Sequence, residues 1–224
     1  MSRFAFLITM YNEKNIVQLN VHAIRAILDD AKILVVQSDS GQSIEYTDFF
    51  KVVPNLHGTV DAYKLPAAAL SRNYSILFNE LYSSYPDVDY IIALTGDTLI
   101  TNIYYLKLLC DRMTRENKVM AVSQAIGQDF HSSTANPPEL CGGRIQHEGL
   151  MDFMPQLFIV DGKFAYSNKL FSQIPITNEF TSEQCLGDEL SKYTDKSKVL
   201  VFSKTAYGYK EGIQYQVKNI WYMQ

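Results

Sequence analysis

The chain opens its first regular element with RFAFLITMYNE, residues 3–13. The apolar run Phe4–Met10 has the length of a strand, and the polar residues Asn12, Glu13 and Lys14 follow it at once. A secretion signal would instead be followed by a small-residue cleavage site. The run therefore predicts a buried strand that ends in a polar turn.

Similar apolar runs alternate with segments of helical periodicity along the chain, which is typical of an α/β sheet rich in parallel strands. The predicted strands, each buried on both faces, are Arg3–Met10, Lys32–Gln37, Asp89–Thr95 and Val119–Ala125. Helices are predicted after the first strand, from the spacing of Ile16, Leu19, Ala23 and Ile27, after the third, from Ile103, Leu106, Cys110 and Met113, and most clearly over Ala67–Tyr85.

The pattern dissolves over Gly127–Gly149, which is longer than an ordinary connection and predicts a lid or a mobile loop. Regular segments then return as the apolar run Gln156–Val160, helices near Ser167–Gln173 and Thr181–Tyr193, and a strand Lys198–Ser203. No repeat or linker interrupts them. We therefore expect one domain over residues 1–224.

Composition excludes several classes of protein. The 224 residues carry a formal net charge of −4, with a pI near 5.6, so no overall positive field attracts nucleic acid. The three cysteines, Cys110, Cys141 and Cys185, are far apart and predict reduced thiols in a cytoplasmic protein. No run approaches the roughly 18 apolar residues of a membrane span.

Ligands of open α/β sheets bind beyond the carboxyl ends of the strands, and here each of these ends is polar. The three turns read Thr9–Glu13, Ser38–Gly41 and Thr95–Asp97. None contains the glycine-rich pattern of a dinucleotide-binding or P-loop protein, and no nucleophile elbow of the hydrolase type is present.

These turns carry a resemblance. A strand ending in T-x-Y-N-E, a second ending in S-D-S-G, a helix carrying S-R-N and a strand that runs into an x-x-D turn resemble the nucleotide-sugar half of GT-A glycosyltransferases, especially family 2. The resemblance implies a Rossmann-like, mixed and mostly parallel sheet flanked by helices. It also implies a nucleotide-binding part over about residues 1–100 and an acceptor-side part over about 127–224.

For the nucleoside, the resemblance implies that Asp39 accepts a hydrogen bond from the uracil or the ribose, and that Thr9, Tyr11 and Glu13 line the same site. A solvated turn is the alternative for Asp39, and an aromatic at the edge of the core is the alternative for Tyr11.

For the phosphates, Arg72 lies off the apolar stripe of its helix and offers a bidentate guanidinium, unless it is only a surface residue. Arg144, in the long loop, is a second candidate for the phosphates. Asp152 is a candidate contact of the donor sugar.

For a metal, GT-A enzymes carry a D-x-D turn whose last Asp binds a divalent cation, Mn²⁺ or Mg²⁺. This chain has Thr95-Gly96-Asp97 in that place, so one carboxylate is missing, and its last histidine is His147. Asp97 is the candidate ligand, with phosphate oxygens and water completing the site. The alternative is that Asp97 caps the next helix.

For the catalytic base, inverting transfer needs a carboxylate that takes the proton of the acceptor hydroxyl. Asp188 and Glu189 are adjacent on a predicted helix, so they point about 100° apart and only one of them faces the sugar. Asp188 matches the family better. Glu189 has the alternative of pairing with Lys192 or Tyr193 at helical spacing.

The sequence thus predicts an enzyme that transfers a single sugar from a nucleoside-diphosphate sugar, a UDP-sugar, to a hydroxyl acceptor with inversion. The acceptor can be a saccharide, a protein, a lipid carrier or a modified nucleobase. The chain lacks the Q-x-x-R-W motif of processive synthases. The alternatives are a non-catalytic nucleotide-sugar-binding protein and a nucleotidyltransferase of similar architecture.

Overall fold

A computed structural model describes residues 3–38, 43–53, 65–122, 156–174, 182–202 and 220–221. Its strands are β1 Phe4–Met10, β2 Lys32–Gln37, β3 Phe49–Val52, β4 Tyr90–Thr95, β5 Leu99–Ile100, β6 Met120–Val122, β7 Leu157–Asp161, β8 Val199–Val201 and β9 Ile220–Trp221. Its α-helices are α1 Lys14–Ile27, α2 Leu65–Ser84, α3 Ile103–Arg115, α4 Gly162–Asn168 and α5 Ser182–Ser191.

Seven strands form one mixed sheet in the order β3-β2-β1-β4-β7-β6-β8. β7 is antiparallel to both of its neighbours, and the other pairings are parallel. The separate pair β5 and β9 is also parallel. The prediction of an α/β protein with a mixed, mostly parallel sheet flanked by helices is therefore confirmed.

Helices cover the sheet on both faces, which is why its central strands are apolar along their whole length. Every residue of β1 is buried. Its even-numbered side chains, such as Phe6 and Ile8, pack with α1 and α3, whereas Ala5 and Leu7 pack with α2, α4 and α5. We call these the α1 face and the α2 face.

Most predicted elements lie where the periodicity placed them, but one helix was misplaced. α4 spans Gly162–Asn168 and not the predicted Ser167–Gln173. The Asp161 side chain caps its first turn by accepting a hydrogen bond from the Phe164 N–H, and Lys169, in the left-handed conformation with φ 49°, ends it. The short strands β3, β5 and β9 were not predicted.

No described helix combines the length and the apolar character needed to cross a membrane. The thiols of Cys110 and Cys185 are free and buried, while Cys141 lies outside the described residues. The long-loop prediction over Gly127–Gly149 also lies outside them.

Candidate functional site

Polar side chains line the carboxyl edge of the sheet on its α2 face. Ser38 directly follows β2, Thr9 and Thr95 are paired across β1 and β4, and Gln156 directly precedes the antiparallel β7. Strand alternation directs Thr9 and Thr95 to the face that carries Leu7 and Ala93. We call these four residues, from four neighbouring strands, the polar row.

The turn after β4 presents Asp97 beside this row. The Thr95 hydroxyl donates a hydrogen bond to Asp97 Oδ1 at 2.6 Å, and it lies 2.9 Å from the hydroxyl of the fully buried Thr98. Thr98 in turn donates to the Gln156 carbonyl at 3.1 Å. Thr95 thus orients the carboxylate of Asp97.

Gly96 allows this turn to approach β1. A Cβ atom at Gly96 would lie 2.7 Å from the Thr9 carbonyl oxygen and 2.9 Å from Glu13 Oε2, closer than side chains pack. Any larger residue would push the turn away from β1. The alternative that Asp97 caps the next helix is wrong, because Asn102 caps α3 by accepting from the Tyr105 N–H.

Asn20 holds the same turn from the opposite face of the sheet. This fully buried residue of α1 donates from Nδ2 to the Thr98 carbonyl at 2.7 Å and accepts from the Ile100 N–H at 2.9 Å. One side-chain amide therefore satisfies two backbone groups of the segment that follows Asp97. Sequence analysis gave this residue no role.

Glu13 shapes the turn after β1. Its Oε2 atom accepts hydrogen bonds from the N–H groups of Tyr11 and Asn12, at 2.7 and 3.0 Å. The Tyr11 side chain is exposed at this turn, with a relative accessibility of 36%, so it is not packed in the core. The predicted contacts of Thr9, Tyr11 and Glu13 with a nucleoside stay predictions.

Helix α2 adds two buried polar side chains to the row. Asn73 Nδ2 donates to the Ser38 hydroxyl at 2.5 Å. The Tyr74 hydroxyl is hydrogen-bonded to the Thr9 side chain, and burial raises the pKa of Tyr74 well above 10, with the Asp97 carboxylate raising it further. Tyr74 packs in the core of the α2 face and also contacts the polar row through Thr9. Arg72 lies half-buried in the same turn of α2.

The two candidate bases of helix α5, Asp188 and Glu189, lie in different surroundings. Glu189 is buried, forms an ion pair with Lys192 Nζ at 2.5 Å and accepts from the Tyr193 hydroxyl at 3.4 Å. The hydrogen bond from Lys192 to Glu189 raises the pKa of Lys192. Glu189 thus makes the helical pairing that the sequence offered as its alternative, whereas Asp188 is half-buried.

Several buried polar atoms at this edge have no hydrogen-bond partner. Within the described ranges, the residues concerned include Gln37, through both atoms of its amide, Ser71 through Oγ, Asn73 through Oδ1 and Gln156 through Oε1. Folded proteins leave few such groups, and each needs an explanation such as a bound ligand or water. All four residues lie at or near the carboxyl edge.

A cleft of about 510 Å³ lies at the opposite, amino edge, near Arg3, Asp89, Asp161, Lys163 and Tyr166. Two of its acidic groups have partners within the protein: Asp89 forms an ion pair with Arg3 at 3.0 Å, and Asp161 caps α4. We therefore place the candidate site at the polar row, where buried groups need a partner, and not at this cleft.

The described residues contain no group of three or more His, Cys, Asp or Glu side chains able to hold a metal ion. Three predicted site residues, Asp39, Arg144 and Asp152, lie outside the described ranges.

Comparison with the models of known protein families and with curated proteins finds no match. A function for the chain must therefore be argued from the site itself.

Proposed function

We propose that the chain is a GT-A-type glycosyltransferase that moves a single sugar from a UDP-sugar to a hydroxyl acceptor, with inversion. The observation that carries the proposal is the polar row at the carboxyl edge, together with the unpartnered buried atoms around it. Ligand sites of open α/β sheets lie at this edge. The sequence resemblance supplies the class of ligand.

In this proposal, each part of the row binds a different part of the sugar nucleotide. The β1 and β2 ends, with Thr9, Tyr11 and Asp39, would hold the nucleoside. The Asp97 turn would face the diphosphate. Arg72 and Arg144 are the candidate guanidinium contacts of its oxygens.

A divalent cation fits this site only in part. Asp97 supplies one hard oxygen ligand, so Mn²⁺ or Mg²⁺ would need diphosphate oxygens and water for its remaining positions. When bound, the cation would neutralise the charge of the leaving diphosphate. We therefore expect metal and nucleotide to bind as a coupled pair.

The structure of α5 favours Asp188 over Glu189 as the catalytic base. Glu189 is buried and its carboxylate is already held by the ion pair with Lys192. Asp188, the next residue on the helix, is half-buried rather than buried. In this proposal Asp188 takes the proton of the acceptor hydroxyl, whose oxygen bonds to the anomeric carbon of the sugar as the bond from that carbon to the diphosphate breaks and UDP leaves.

The nucleotide and metal assignments are tested together by thermal unfolding with UDP, ADP or GDP, each in Mn²⁺ and in EDTA. UDP with Mn²⁺ should give the largest stabilisation, because a ligand that binds only the native state raises its melting temperature. Asp97→Asn should remove the difference between Mn²⁺ and EDTA, and Asp39→Ala the preference for UDP. Equal shifts with all three nucleotides would contradict the UDP assignment.

The chemistry is tested by release of UDP from UDP-sugars, with water replacing the unknown acceptor. Asp188→Asn should lower the rate by roughly 10²–10⁴ with little change in donor affinity. Glu189→Gln is the matched control and should lower the rate far less. The reverse order would move the base to Glu189.

The alternative is a non-catalytic nucleotide-sugar-binding protein. It is favoured by the single carboxylate of the Thr95-Gly96-Asp97 turn. Tight UDP-sugar binding without turnover, in the presence of pooled saccharide, lipid and protein acceptors, would make this second reading the better one. A nucleotidyltransferase would instead release diphosphate from a nucleoside triphosphate.

A further inference from the structure

We propose that Gln156 recognises the donor sugar, by accepting a hydrogen bond at Oε1 from one of the sugar's hydroxyl groups. This assignment rests on the proposed function and adds a specificity-determining residue to it. Sequence analysis treated Gln156 only as the start of an apolar segment.

The backbone of Gln156 is fixed next to the Asp97 turn. Its carbonyl accepts from the Thr95 N–H at 3.1 Å and from the Thr98 hydroxyl at 3.1 Å. The next residue, Leu157, is paired with Leu94 in the sheet. A side chain that projects from so constrained a position needs little ordering when it contacts a ligand.

The side-chain amide of Gln156 has an unused hydrogen-bond acceptor. Among the described residues Gln156 Oε1 has no hydrogen-bond partner, and this atom is buried although the residue as a whole is half-buried. Diphosphate oxygens are acceptors at neutral pH and cannot satisfy an amide oxygen. Sugar hydroxyl groups are donors and can.

The order of the strands places Gln156 where the sugar should be. Along the edge, Ser38 follows β2, Thr9 ends β1, Asp97 follows β4 and Gln156 precedes β7. Neighbouring strands are about 4.8 Å apart, so the ends of β2 and β7 are separated by roughly 14 Å. A UDP-sugar lying across the row with its nucleoside at β2 and β1 and its diphosphate at Asp97 would bring its sugar to β7.

The test compares UDP with three UDP-sugars, UDP-glucose, UDP-galactose and UDP-N-acetylglucosamine, by titration calorimetry in Mn²⁺. The quantity of interest is the ratio of the Kd of UDP to the Kd of the sugar that binds best. Gln156→Met removes the amide but keeps the length of the side chain and both hydrogen bonds of the backbone carbonyl. We expect it to lower that ratio about tenfold, the value of one hydrogen bond, with UDP itself bound within about twofold of the parent.

Gln37→Met is the matched control, because Gln37 is a glutamine whose buried amide also lacks a partner among the described residues, but it lies at the end of β2. It should leave the ratio unchanged. Gln156→Ala serves as a second variant if Gln156→Met does not fold, as judged by its urea midpoint.

The outcomes separate the two proposals. If the parent binds UDP and a UDP-sugar and the Gln156 variants bind both as tightly as the parent does, Gln156 binds a structural water and the assignment is wrong. If the variants weaken UDP and the UDP-sugar equally, Gln156 does not contact the sugar. If the parent binds neither ligand, the proposed function fails and the Gln156 assignment fails with it.

Discussion

Replacing Asn20 tests whether the Asp97 turn depends on its two hydrogen bonds from α1. Asn20→Leu keeps the number and branching of the side-chain heavy atoms, so the main loss is of partners for the Thr98 carbonyl and the Ile100 N–H. Both residues are buried, and each orphaned group costs about 1–3 kcal/mol. The better helix propensity and apolar character of Leu offset part of this cost.

We therefore expect Asn20→Leu to lower the free energy of unfolding by about 2–5 kcal/mol, measured by urea denaturation. For a chain of this length the melting temperature should fall by about 4–20 °C. Leu19→Ala is the control, because the neighbouring Leu19 is 56% exposed and should change stability by less than about 0.5 kcal/mol.

A loss below about 1 kcal/mol for Asn20→Leu would refute the reasoning, because water would then be satisfying both backbone groups. A similar loss for Leu19→Ala would show that α1 as a whole, rather than the amide of Asn20, sets the stability. The coupling between UDP and Mn²⁺ should fall together with stability if Asn20 also positions Asp97.

Three further predictions follow from single contacts. Gly96→Ala should destabilise the fold by about 1–3 kcal/mol in urea, because the new Cβ would meet the Thr9 carbonyl oxygen at 2.7 Å; an unchanged midpoint would contradict the close approach. Burial raises the pKa of the Cys110 thiol to about 12, so iodoacetamide at pH 8 should label Cys110 only after unfolding; labelling in the native protein would show that the thiol is accessible. The Glu189 partner raises the pKa of Lys192 above 10.5, so its contribution is fully present below pH 10.5 and is lost as pH rises through the higher native value. Lys192→Met should therefore cost less than about 1 kcal/mol at pH 8, since the lysine is 55% exposed, and nothing at high pH; a cost that is equal at both pH values would contradict the ion pair.

Local patterns predicted the elements whose signal was long and strong. The bounds of β2 were predicted without error, and those of β1 and β4 within one residue, because each is a continuous apolar run buried on both faces. β3 was missed because its residues are half-buried or exposed at the edge of the sheet, where no such run is required. Helix α4 was misplaced because its start depends on two tertiary features. Asp161 caps it, and Gly162 lies against the segment that precedes β4, where a Cβ at Gly162 would be 1.8 Å from the Val88 carbonyl oxygen.

The candidate site divides in the same way. The turns with Thr9, Thr95 and Asp97 were predicted because they follow recognisable strands. Asn20 was missed because a polar residue in an amphipathic helix is ordinarily on its wet face, and its partners are 78 and 80 residues away. The sequence did not decide whether Glu189 pairs with Lys192, because helical spacing allows this contact without requiring it.

Local sequence patterns determined the α/β class and the polar character of the strand ends, since both depend on which residues neighbour one another along the chain. The antiparallel insertion of β7 between β4 and β6 arises only in the folded chain. So does the placement of Gln156 beside the Asp97 turn. Those contacts join segments far apart in sequence, and they are selected by burial and hydrogen-bond satisfaction across the whole sheet, which no local period encodes.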